Sequence, residues 1–148
     1  MSTLKLAQAT TLIDAALAEA RRRGLAALAV AVLDAGGHVV AFQREDGAGF
    51  LRFDIAYGKA WGALGLGFGT RELDERANRI PTFVTALAVA SQGRAIPSPG
   101  GVIILDTGGE VVGAVGISGD VGDLDEACAL AGIAAVGLAA RPGAAKPA

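Results

Sequence analysis

Cysteine is almost missing from this 148-residue sequence: Cys128 is the only one, so no internal disulfide can form and a reduced compartment is compatible. Aromatic residues are only 5% of a chain that is 52% hydrophobic. Such a core gains its burial from small side chains and close backbone approach, which leaves apolar surface for subunit contacts, so a homo-oligomer, dimer or higher, is expected. Neither charge sign dominates: 13 basic and 15 acidic residues give a net charge of −2. That balance excludes the electrostatic footprint of a nucleic-acid or anionic-membrane partner. No apolar run is long; the alanine-rich stretch from Ala127 to Ala140 falls short of the ~20 residues that cross a bilayer. The opening M-S-T-L-K-L-A-Q-A-T lacks the basic and apolar regions of a signal peptide, and a cytoplasmic location is expected. Walker A, Cys-X-X-Cys and Gly-X-Ser-X-Gly patterns are all absent. With one histidine and one cysteine, a protein-only zinc site would have to rest on carboxylates.

What is present is glycine, 22 residues of it, and β-branched runs on either side of glycine turns. V-A-V-L-D-A-G-G-H-V-V-A-F-Q-R-E-D-G, from Val30 to Gly47, reads as two antiparallel strands around a tight reversal. Period-two geometry then puts His38, Val40, Phe42 and Arg44 on one face of the second strand. Before it, Leu6, Ala9, Ile13, Ala16, Leu17 and Ala20 form a helical stripe, capped by Thr3 and closed by Gly24. After it, Phe50 to Leu66 reads as a glycine-rich helix, and Gly58, Gly62, Gly65 and Gly69 recur at steps of four, three and four residues. Each interior glycine costs about 1 kcal/mol against alanine, so the stripe needs another backbone or a flat ligand close by. Thr70 caps an acidic turn whose Glu72 and Glu75 could share one side, and Pro81 opens a further helical segment. D-T-G-G at Asp106 to Gly109 joins Val102–Leu105 to Glu110–Ser118 as a second hairpin. Asp123 and Glu126 form a capping box for a helix reaching about Ala140. One domain over residues 1–141 is expected, with 142–148 a flexible tail. G-A-V-G-I-S-G at Gly113 to Gly119 is not a dinucleotide turn: its spacing is wrong, its strand belongs to an antiparallel hairpin, and acids open the next helix.

The chemistry-bearing candidates are few. His38 and Arg44 look the same way from one strand, Asp46 closes that strand, and Lys59 sits among Ile55, Ala56, Ala60 and Ala63 on the glycine-rich helix. Either the Lys59 stem lies over apolar surface or its charge enters a polar pocket, which Asp125 and Glu126 could complete.

The segments V-A-V-L-D-A-G-G-H-V-V-A-F-Q-R-E-D-G-A (Val30 to Ala48), I-A-Y-G-K-A (Ile55 to Ala60), P-G-G-V (Pro99 to Val102), G-E-V-V-G-A-V-G-I-S-G (Gly109 to Gly119) and D-E-A-C-A-L-A-G (Asp125 to Gly132) resemble the GlcG/HbpS-like family, which includes the C-terminal domain of PduO-type proteins. The resemblance covers nearly the whole chain. It implies an α/β (α+β) sandwich of the profilin-like kind, a five-stranded antiparallel sheet with helices on its faces, assembled into oligomers. The hairpins supply four strands; the fifth would come from the Ala95–Pro99 region or from a split in the last hairpin. The resemblance also implies haem as a possible cofactor and a pocket lined by His38, Arg44, Asp46, Lys59, Gly100 and Gly101. Glu45, Ile103 and Gly62 depart from the family's usual methionine, proline and threonine.

Two functions from different classes follow. One is a haem or flat-ligand binding protein, with His38 as the axial metal ligand and Arg44 or Lys59 pairing with carboxylates. The other is a cofactor-independent isomerase, tautomerase or hydrolase on a small carboxylated substrate. There Arg44 would clamp the carboxylate, His38 would move a proton, and Lys59 would stabilise negative charge or act as base. A plain assembly or sensor subunit is the third alternative.

Overall fold

The computed structural model describes residues 3–143. Five strands form one sheet in the order β2-β1-β4-β3-β5: β1 (Ala29–Asp34), β2 (Val39–Arg44), β3 (Gly101–Leu105), β4 (Val111–Ser118) and β5 (Ala139–Arg141). Every pairing is antiparallel. The five helices are α1 (Leu6–Arg23), α2 (Leu51–Leu66), α3 (Thr70–Arg79), α4 (Pro81–Ala90) and α5 (Gly122–Ala135). This is the expected mixed architecture of an antiparallel sheet with helices on its faces. Among the described residues, no helix is long and apolar enough to cross a membrane.

The two faces of the sheet differ in side-chain size, and that decides what packs on each. Val30, Val32, Val102, Ile104, Val115 and Ile117 join Leu12, Ile13 and Ile133 of α1 and α5 in the main core. The opposite face carries Ala29, Ala31, Ala114, Gly101 and Gly116, and α2 lies on it. A Cβ on Gly116 would fall 1.9 Å from the Ala56 carbonyl oxygen, so the helix backbone rests directly on the strand. The scarcity of large aromatic side chains is thus met by backbone contact on one face and branched aliphatics on the other.

Several expectations are corrected. The fifth strand is neither near Ala95–Pro99 nor a split hairpin: α5 stops at Ala135, and Ala139–Arg141 pairs with β3. Gly137, at φ +71, turns the chain back, a reversal hidden in the sequence by the continuous run of small residues. Lys5, not Thr3, is the N-cap of α1, with its backbone N–H donating to Gln8 Oε1 at 2.9 Å. Thr70 is the first residue of α3 rather than its cap, and Val121 is the N-cap of α5. Asp123 and Glu126 do not form the capping box, because both accept from Arg71 instead. Of the expected tail, Pro142 and Gly143 close over Gly69 and residues 144–148 lie outside the described part.

Candidate functional site

The candidate residues fall into two places, one inside the molecule and one at its edge. Lys59 projects from α2 into the seam between β4, the loop before β3, and α5. Its Nζ donates to Pro99 O at 3.0 Å, Ile117 O at 2.8 Å and Asp125 Oδ2 at 3.1 Å. Those acceptors account for all the ammonium protons. The Lys59 and Asp125 side chains are only 3% and 1% exposed. Burial pulls the Lys59 ammonium below its usual range although Asp125 opposes the shift, and burial pushes the Asp125 carboxyl up to about 6 against the pull of Lys59. Gly100 and Gly101 close around the ammonium. A Cβ on Gly100, whose φ is +124°, would meet Lys59 Nζ at 2.9 Å, and one on Gly101 would meet the Lys59 carbonyl oxygen at 2.4 Å. The Gly101 N–H in turn donates to Thr70 Oγ1 at 2.8 Å. Lys59, Gly100 and Gly101 therefore do meet, in a buried seam that joins four elements.

Glu126 sits at the outer end of this seam. It accepts from Arg71 Nε at 3.0 Å, and burial raises its carboxyl while Arg71 pulls it back. Arg52, also on α2, donates to Ser118 Oγ at 3.0 Å and is the further cation acting on Lys59.

His38, Arg44 and Asp46 lie elsewhere. The expected shared face of His38 and Arg44 is broken by a bulge: Val32 pairs with Ala41 but Leu33 pairs with Val39, leaving Val40 as the extra residue. Paired residues share a face, so the face carrying Phe42 and Arg44 continues to Val39 and not to His38. His38 and Arg44 also stand at opposite ends of β2, roughly 20 Å apart at strand rise. Arg44 and Asp46 are exposed, and between them Glu45 turns inward. Its Oε1 accepts from the Leu28 N–H at 2.8 Å and from Arg21 at 3.1 Å, which ties β2 to α1 and accounts for a carboxylate at that position. The acidic pair Glu72 and Glu75 is engaged along α3 by Arg76 and Arg79.

At the turn, the His38 side chain is 80% exposed and its Nδ1 lies 3.2 Å from Asp34 Oδ1. The same carboxylate oxygen accepts from the backbone N–H groups of Gly36 at 2.9 Å and His38 at 3.0 Å. The His38 N–H above all, then that of Gly36, holds the Asp34 carboxyl below its ordinary range. A carboxylate at Nδ1 selects the tautomer with its proton there and leaves Nε2 as a lone-pair donor. Beside the turn, a cavity of 240 Å³ is lined by Ala35, Gly36, Gly37, Trp61, Leu64 and Gly65. Asp34 and Trp61 were not among the residues the sequence singled out. Asp34 is legible in retrospect as an Asx turn ending the first strand run, whereas only the fold brings Trp61 to the turn.

The sequence matches the HbpS-like family model, described as haem degrading protein HbpS-like, over residues 4–134. A Citrobacter freundii protein, an uncharacterised 15.0 kDa protein in the dhaT-dhaS intergenic region, is 31% identical over 125 residues, 84% of this chain and 86% of that protein. The structure of a PduOC:heme complex superposes with a TM-score of 0.85 at 25% identity, covering 97% of this chain and all of that one. The Klebsiella pneumoniae protein ORFY gives a TM-score of 0.84 at 30% identity, covering 93% of this chain and 92% of its own.

Proposed function

The chain belongs to the HbpS-like family, and from that membership and the His38 turn we propose that it binds a small flat ligand, haem foremost, where β1 reverses into β2. The observation that carries the reading is the exposed imidazole whose Nδ1 faces Asp34. His38 is the only histidine, and the buried Cys128 thiol is pushed up to about 11 by burial, so His38 is the donor suited to iron. A carboxylate behind a ligating imidazole fixes its orientation and strengthens it as a ligand. The glycine turn and the Trp61 cavity beside it give a planar ring a surface to approach closely. The residues present therefore fit the group: His38 would hold the iron, and the turn with the Trp61 cavity would offer the ring a shallow apolar platform. When bound, haem supplies a redox-active iron; the chain supplies its orientation through His38, Asp34 and the turn.

Lys59 supports the binding reading over the enzymatic one, since its ammonium is enclosed and fully bonded. A homo-oligomer suits the same reading, because Phe50 and Leu51 at the start of α2 are 83% and 58% exposed and gain by burial against a second copy. Titrating the protein with haem and following the Soret band tests the proposal. A saturable red shift in the wild type that His38→Ala removes is the expected result; titrations that match in the two proteins would refute it.

A further inference from the structure

We infer that the groove between α2 and α4 is a second site, for a small aromatic carboxylate. Trp61, Gly62, Leu66, Leu87, Ala90 and Ala95 line it. Its volume is 180 Å³, the scale of the ~150 Å³ apolar cavity that accepts benzene. One six-membered ring fits there. Ser91, the polar residue in the wall, is already engaged: its Oγ donates to Ala88 O at 3.2 Å and accepts from the Ala95 N–H at 3.0 Å. The wall is therefore apolar in effect and leaves a ring no polar group to desolvate.

The polar end of the ligand is set by Arg94. Its guanidinium lies 4.5 Å from the centroid of the ring of Trp61, which is itself a wall residue of the groove, and donates to the neutral Gln92 side-chain amide at 2.9 Å. Among the described residues Arg94 pairs with no carboxylate, whereas Arg21, Arg22, Arg23, Arg71, Arg76 and Arg79 each do. The loop that holds Arg94 in place contains Gln92 at φ +57°, the one non-glycine with positive φ among the described residues. A ring in the groove stacks near the Trp61 indole, and a carboxylate on that ring meets the planar fork of a guanidinium not yet neutralised. The apolar lining favours a ring, and the cation excludes amines. This site shares Trp61 and Gly65 with the cavity beside the His38 turn and takes its other walls from α4 and Ala95, so benzoate is titrated into haem-free protein and its binding is read separately from that of haem.

Trp61 is the only tryptophan, which makes the protein its own reporter. Benzoate is expected to change Trp61 emission saturably, with matching heats in titration calorimetry. Arg94→Gln should weaken benzoate about tenfold, the loss of one charged hydrogen-bonding partner, and Arg94→Lys should retain part of that affinity. Benzyl alcohol should not distinguish wild type from Arg94→Gln. Ala90→Leu, at an exposed helix position, should fill the groove and abolish both signals with an unchanged melting temperature. The inference is overturned if benzoate at millimolar concentration gives neither an emission change nor heat, or if Arg94→Gln binds it as the wild type does. Self-association that masks the response would assign the groove to a second copy and overturn it equally.

Discussion

At the scale of single residues, Lys59 is tied into the fold by three hydrogen bonds and by its pairing with Asp125. Removing it leaves Asp125 buried without its cation, a situation that destabilises a protein by about 3–5 kcal/mol. Lys59→Met should therefore lower the urea midpoint markedly at neutral pH. The pH dependence has a definite sign. Burial already raises the folded-state Asp125 carboxyl to about 6, and loss of Lys59 raises it further. A carboxyl raised on folding contributes stability that is complete below its unfolded value and lost as pH rises through its folded value. The gap between Lys59→Met and wild type should consequently be small at pH 4 and widen towards pH 8; urea titrations at both pH values that show a constant gap would contradict the clasp. In the proposed haem site Asp34 acts differently, through the imidazole it faces. Asp34→Asn keeps the turn's backbone hydrogen bonds but removes the charge behind His38, and should weaken haem by about 10- to 100-fold, as read by competition titration. Equal affinities would show that His38 works without it.

At the scale of elements, the glycines of α2 and of the turn between α2 and α3 divide into two kinds with opposite roles. A Cβ on Gly58 would fall 2.3 Å from the Arg94 carbonyl oxygen, and one on Gly69 would fall 1.9 Å from Pro142 O, so these two glycines admit neighbouring backbone. A Cβ on Gly65 would meet nothing within 4 Å. Gly65→Ala should stabilise the helix by up to about 1 kcal/mol, while Gly58→Ala should destabilise the protein because a backbone cannot yield like a side-chain tip. Thermal melts that move in the same direction for both would refute this division. The same element shows what a sequence can and cannot reveal. The recurrence of glycine along a helix announces close approach, and the small residues of β4 announce a face without bulk. Neither says which neighbour arrives, because Arg94, Pro142 and Ala56 come from distant segments. The bulge at Val40 was likewise illegible, since V-V-A-F-Q-R alternates acceptably in either register; the pairing with Leu33 decides it. The end of α5 was hidden by the same lack of contrast, a run of alanines that suits helix and strand edge alike.

At the scale of the whole molecule, both hairpins, the antiparallel sheet and the family were readable because they depend on local turn chemistry and on motifs spread over nearly the full chain. The site was readable only in part. Lys59, Gly100 and Gly101 do converge, but as a seam in the interior, and His38 is carried to the far end of the edge strand from Arg44. The proposed haem site lies at the β1–β2 reversal, and that separation leaves Arg44 outside it. A haem titration of wild type, His38→Ala and Arg44→Ala measured side by side tests this most directly. The expected result is a Soret shift that His38→Ala loses and Arg44→Ala retains at wild-type affinity. A shift that survives in His38→Ala and disappears in Arg44→Ala would contradict it.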